Sequence, residues 1–127
     1  MFNKIHHVAL ICSDYERSKD FYVNKLGFEV LGEYYRAERQ SYKLDLAVNG
    51  QYQIELFSFP SSPARPSRPE ACGLRHLAFA VTDLAATIRQ LAEKGIETEP
   101  VRVDEFTGRS FTFFADPDQL PLEIYEQ

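Results

Sequence analysis

The chain states one plan twice, and that duplication limits its fold more than any other property. His7 opens the apolar run His7-Val8-Ala9-Leu10-Ile11, and His76 opens His76-Leu77-Ala78-Phe79-Ala80-Val81. A single glutamate then interrupts a strand-like stretch in each half, in Ile54-Glu55-Leu56-Phe57 and in Leu122-Glu123-Ile124-Tyr125. Glu55 follows His7 by 48 residues and Glu123 follows His76 by 47. An internal repeat of this kind has to be read before any element is assigned, because it sets the architecture.

Each half predicts the order β-α-β-β-β, an α+β arrangement of two tandem modules. The first strands fall at 4–12 and 74–82. Helix starts follow: Ser13-Asp14-Tyr15-Glu16 has capping-box spacing, and Thr82-Asp83 offers a plain N-cap. The helices show core-facing sides (Tyr15, Ser18, Phe21, Tyr22 and Leu26; Leu84, Ile88, Leu91 and Ala92) and end at Gly27 and Gly95. Three strands are expected after each helix, at 28–36, 42–49 and 51–59, then at 97–103, 110–115 and 121–126. Asn49-Gly50 and Asp116-Pro117-Asp118 mark turns. By length the 127 residues form one domain: module 1 at 1–59, a proline-rich linker at 60–73 and module 2 at 74–127. Proline at 60, 63, 66 and 69 favours an extended polyproline path, read as a stiff spacer that is also long enough to cover a site or a subunit contact.

Strand alternation selects the chemistry-bearing residues. His7, Ala9 and Ile11 share one face, as do His76, Ala78 and Ala80. Small alanines beside the histidines leave room for a bound group. His6 aligns with Arg75 in the repeat, which assigns it a structural or surface role. A carboxylate in an apolar strand is costly without a partner. Two carboxylates and two neutral imidazoles balance one divalent cation, so His7, Glu55, His76 and Glu123 are candidate ligands in a polar cup. Such a mixed set suits Ni²⁺, Zn²⁺, Co²⁺, Fe²⁺ or Mn²⁺.

A net charge of −5 argues against a nucleic-acid or anionic-membrane partner and leaves a small-molecule substrate. No apolar segment reaches the ~18 residues of a membrane span, and the first strand begins too early for a cleavable leader. Cys12 reads as a small core residue and Cys72 as a loop residue, without disulfide or metal-ligand spacing, which points to a reducing, cytoplasmic setting.

At the level of motifs the chain resembles the vicinal oxygen chelate superfamily, specifically glyoxalase I and the YaeR-type short bacterial subgroup. The carriers are His6-His7-Val8-Ala9, Ser18 to Tyr22 with Leu26-Gly27-Phe28, Ile54-Glu55-Leu56, Arg75 to Phe79, Asp116-Pro117-Asp118 leading to Glu123, and the segment from Phe57 to Gly73. The resemblance implies two βαβββ modules whose sheets curl around a metal, often in a homodimer, with His7, Glu55, His76 and Glu123 as ligands. It implies a lactoylglutathione lyase-like activity that isomerises the hemithioacetal of methylglyoxal and glutathione through an enediolate. Glu123 would be the main base and Glu55 a ligand and second base, with Ni²⁺ or Zn²⁺ as the metal. Glutamate at 55 separates this pattern from the dioxygenases and fosfomycin-resistance enzymes of the fold; another metalloenzyme (dioxygenase or epimerase) and a non-catalytic small-molecule-binding protein are the alternatives. Gln119 stands where relatives commonly carry glycine in a tight turn, at a cost of about 1 kcal/mol or a change of turn. Arg17, Arg36, Arg39, Arg102 and Arg109 are available cations for a thiol cosubstrate, most of them read as solvated.

Overall fold

The computed structural model describes all 127 residues. They divide into two compact units, 1–64 and 65–127. The first contains β1 (Val8–Cys12), α1 (Tyr15–Lys19), β2 (Glu29–Arg36), β3 (Ser41–Val48) and β4 (Gln51–Ser58). The second contains β5 (Leu77–Val81), α2 (Leu84–Glu93), β6 (Arg102–Val103), β7 (Ser110–Ala115) and β8 (Pro121–Glu126). Each unit holds one four-stranded mixed sheet, ordered β1-β4-β3-β2 and β5-β8-β7-β6. The first strand of each unit pairs in parallel with its last. Both units are therefore βαβββ, and the repeated order holds at the level of strand pairing.

Period-two alternation sorts each sheet into an apolar face and a functional one. In the first unit Leu10, Leu56 and Leu44 share a rung, as do Ile54 and Leu46, and all five are buried. In the second, Phe79, Ile124 and Thr112 share a rung, and Leu77, Leu122 and Phe114 the next. Leu122, Thr112 and Leu44 are fully buried, so these rungs are core.

Several boundaries differ from the sequence reading for identifiable reasons. β1 begins at Val8 because its ladder starts at Val8↔Ile54; residues 4–7 lie outside it, and Ile5 is exposed. β5 likewise begins after His76. The N-cap of α1 is Asp14 rather than Ser13: its side chain accepts from Arg17 N at 3.2 Å, matching Asp83 on Ala86 N at 2.9 Å in α2. The single helix expected up to Gly27 changes type at Asp20. Residues 20–25 form a wider π-helical turn, with Leu26 N donating to Phe21 O at 2.9 Å. The wider turn puts the adjacent Phe21 and Tyr22 both into the core. Gly27 and Gly95 close the helices in the left-handed region, at φ 78° and 77°. The strand expected at 97–103 is reduced to Arg102–Val103, because Pro100 lacks the N–H a longer ladder needs. Cys12 is buried and Cys72 exposed, both as free thiols. No helix is long and apolar enough to cross a membrane.

At Asp116-Pro117-Asp118-Gln119 the turn retains the geometry that favours glycine. Gln119 has φ 67°, and Asp116 Oδ1 accepts from Asp118 N and Leu120 N at 2.8 and 2.9 Å. Replacing Gln119→Gly removes the side-chain penalty and should raise stability by about 0.5–1 kcal/mol in urea unfolding.

Under the first sheet, Tyr15 and Lys19 from α1 both donate to the Glu33 carboxylate on β2. These bonds, Lys19 first and then Tyr15, hold Glu33 below the ordinary glutamate value of 4.5. Its stabilising contribution is thus present above pH 4.5 and lost as pH falls through the lower folded-state value. Thermal melts should show a declining acid limb below about pH 4.5 that is shallower in Glu33→Gln.

Candidate functional site

The parallel ladder explains why each histidine meets a glutamate 47 or 48 residues away. Ala9 pairs with Glu55 and Ala78 with Glu123. The histidine two residues before each alanine shares its face, so its ring reaches the carboxylate on β4 or β8. His7 Nε2 stands 3.5 Å from Glu55 Oε2, and His76 Nε2 stands 2.9 Å from Glu123 Oε2. Both glutamates are nearly buried while the histidines are about one-third exposed. The four candidate ligands are thus brought together as two pairs, one in each unit. The chain contains no group of three or more His, Cys, Asp or Glu poised around one ion.

The pairs differ in what surrounds them. On the first sheet Asp45 sits directly across from Glu55 on β3 and is itself buried. Lys43 Nζ donates to Asp45 Oδ1 at 2.6 Å and lies 3.8 Å from Glu55 Oε2. The bond to Asp45, more than any other influence, raises the Lys43 ammonium above its usual value. Tyr52 donates its phenol to Glu55, and burial first, then this bond, pushes the phenol well above the usual range. His6 Nδ1 and His7 Nδ1 share a hydrogen bond of 2.9 Å, which orients the His7 ring and leaves Nε2 toward Glu55. Gly32, across β3, makes room for this cluster: a Cβ there would meet the Tyr34 ring at 2.5–2.9 Å, and Lys43 Nζ lies 5.6 Å from that ring's centroid.

On the second sheet the position of Asp45 is taken by Phe113, which pairs with Glu123 and meets the His76 ring edge-on at 5.1 Å between centroids. Glu123 has no partner besides His76, and His76 Nδ1 is buried with no partner at all. Polar neighbours therefore surround the glutamate of the first sheet, where Phe57 shares the face, while around Glu123 the sheet presents Phe113, Phe111 and Tyr125.

Sequence reasoning missed Lys43, Asp45 and Tyr52. Leu44-Asp45-Leu46 carries the same apolar–acidic–apolar signal as Ile54-Glu55-Leu56 and could have exposed Asp45. Tyr52 carried no such signal, since its bond depends on the hairpin and on the register shift between Leu46 and Ala47. Of the cations singled out, Arg36 and Arg39 lie over the Phe57 and Phe59 rings at 5.4 and 5.0 Å, and Arg102 lies 5.3 Å from both Phe111 and Phe113. Arg17 and Arg109 are exposed.

Comparison with known proteins gives this duplicated sheet its class. The model of the Glyoxalase/Bleomycin resistance protein/Dioxygenase superfamily matches residues 4–124, and the chain belongs to that family. It is 66% identical to the uncharacterized protein YwkD of Bacillus subtilis (strain 168), covering 100% of this chain and 99% of that one. It is 58% identical to the uncharacterized protein YaeR of Escherichia coli (strain K12), covering 98% and 96%, which places it in the YaeR-type subgroup. A solved glyoxalase family protein from Enterococcus faecalis superposes with TM-score 0.91 at 56% identity, over 98% of each chain.

The Lys43–Asp45 bond makes a direct prediction. Lys43→Met leaves a buried carboxylate without its cation and should destabilise by about 1–3 kcal/mol in urea unfolding. The double variant Lys43→Met, Asp45→Leu should recover most of that loss, because it removes both charges.

Proposed function

We propose that the two His–Glu pairs serve one divalent cation, supplied by one chain or by two, and that the protein is a glyoxalase I-like lyase. The donor set fits such an ion. Two ligands held at ~2.1 Å and at right angles about a metal stand ~3 Å apart. Each imidazole nitrogen and carboxylate oxygen here faces its partner across 2.9 or 3.5 Å. Two imidazoles with two carboxylates suit Ni²⁺ or Zn²⁺ first, with Co²⁺, Fe²⁺ and Mn²⁺ also compatible. A bound ion of this kind supplies Lewis-acid polarisation to two adjacent oxygens of a substrate.

One observation carries the assignment of roles: Glu55 is held and Glu123 is not. Tyr52 and Lys43 both engage Glu55, and His6 orients the His7 beside it. That is the outer support a ligand needs. Glu123 has only His76 to contact and Phe113 for a neighbour, which leaves its carboxylate free to move a proton. In the hemithioacetal of methylglyoxal and a thiol such as glutathione, Glu123 takes the proton from the carbon bearing sulfur and returns it to the adjacent carbon. The carbonyl and hydroxyl exchange places, a thioester results, and no net oxidation occurs. A cytoplasmic homodimer acting on a small molecule is part of the same reading, supported by resemblance to the family.

After chelation and reloading, elemental analysis should find about one cation per set of four ligands, lost in His7→Ala, Glu123→Ala. Absorbance of the thioester from methylglyoxal and glutathione should appear with the reloaded protein. Glu123→Gln should lower kcat by ~10²–10⁴. Full metal content in the double alanine variant ends the metal assignment; full metal content in the wild type without thioester ends the lyase assignment alone.

A further inference from the structure

The proline-rich segment is built into a wall. Arg65 Nη2 donates to the carbonyl oxygens of Leu74 and Arg75 at 2.5 and 2.9 Å, and Arg65 Nε donates to Ser67 Oγ at 2.8 Å. Ser67 Oγ donates in turn to Gln119 O at 3.3 Å, tying the segment to the turn before β8. Residues 65–68, 70–71, 97–99 and the end of β7 together line a cavity of about 1000 Å³. All of its lining residues belong to the 65–127 unit, and His76 and Phe113 are among them. The cavity therefore reaches the imidazole of the second His–Glu pair.

Its charge runs against that of the chain. Four of the seven basic residues of this unit line it (Arg65, Arg68, Arg75 and Arg102), against three glutamates, in a protein of net charge −5. Arg65 is committed to backbone oxygens. Arg68 and Arg102 make only exposed ion pairs, with Glu70 at 3.3 Å and Glu99 at 3.5 Å, and such pairs exchange readily for another anion. Arg75, next to His76, has no side-chain partner in the structure. Arg102 is held over the Phe113 ring, which gives a ligand an apolar platform beside a cation. A planar guanidinium fork matches a carboxylate.

We propose that this cavity receives the carboxylate end of a small-molecule ligand, with Arg75 as the receiving group and Arg102 on its aromatic platform as the second. The proposed metal reading enters only in placing the ligand's other end at His76; the anion site stands without it. The test is calorimetric titration of metal-free, full-length protein with succinate, its neutral analogue succinamide and inorganic phosphate. Succinate should bind saturably, about tenfold or more weaker in Arg75→Gln, and not at all in Arg75→Gln, Arg102→Gln. Arg75→Lys should fall between wild type and Arg75→Gln, and succinamide should not bind. Circular dichroism and the cation content of the reloaded variants should stay unchanged, which separates loss of the anion site from loss of fold or of the metal pairs. Absence of succinate binding, equal binding of succinamide, binding of phosphate alone, or undiminished binding in the double variant each overturns the proposal.

Discussion

Each sheet sets a glutamate on a rung beside an alanine, Glu55 next to Ala9 and Glu123 next to Ala78, and the strand pairing of both units makes that placement tolerable. An ionised glutamate flanked by buried Ile54 and Leu56, or by Leu122 and Ile124, faces a desolvation cost that an apolar sheet cannot offset. The parallel pairing of first and last strands answers it locally. It places an alanine directly beside the carboxylate and brings the preceding histidine within 3.5 Å or less. The connection through α1, β2 and β3 brings β4 back beside β1, and that parallel pairing sets Glu55 next to Ala9.

The two units differ beside their glutamates. Both units retain the His–Ala–Glu rungs, but the third position of the rung is Asp45 in one and Phe113 in the other. Asp45 brings with it Lys43, since a second buried carboxylate beside Glu55 needs a cation. The result is a hydrogen-bonded His–Glu pair in the first unit and a sparse, aromatic-lined one in the second. Equal halves would bind symmetrically. Unequal halves can divide the labour between holding and proton transfer, which is why the asymmetry bears more weight in assigning roles than the shared residues do.

How much of this could be read in advance depended on the range of the interaction. The helix caps, closing glycines and carboxylate-bearing strands were legible because each rests on residues within a few positions of one another. Even so, the α1 cap fell at Asp14 rather than Ser13: both are good cap residues, and it is Asp14 that takes extended backbone and accepts from Arg17 N. The π-helical turn was not legible: it answers the packing of Phe21 and Tyr22 against the sheet. Lys43 and Tyr52 join the site through register across β3 and β4, and a single bulge shifts that register. His6, unrepeated in the second half, meets the His7 ring, Nδ1 to Nδ1 at 2.9 Å.

Evenly spaced prolines describe a stiff path, yet stiffness serves a wall as well as a spacer. What decides is where the hydrogen bonds of the intervening polar residues go. Arg65 spends its guanidinium on the carbonyls of Leu74 and Arg75, nine and ten residues along the chain, and Ser67 reaches Gln119. A segment meant only to separate two units has no need of such ties, and the residues it delivers to the edge of β5 are Arg75 and His76. In the first unit the same two positions of the repeat hold His6 and His7, joined to each other. In the second, the arginine has no side-chain partner and stands exposed beside the imidazole of His76.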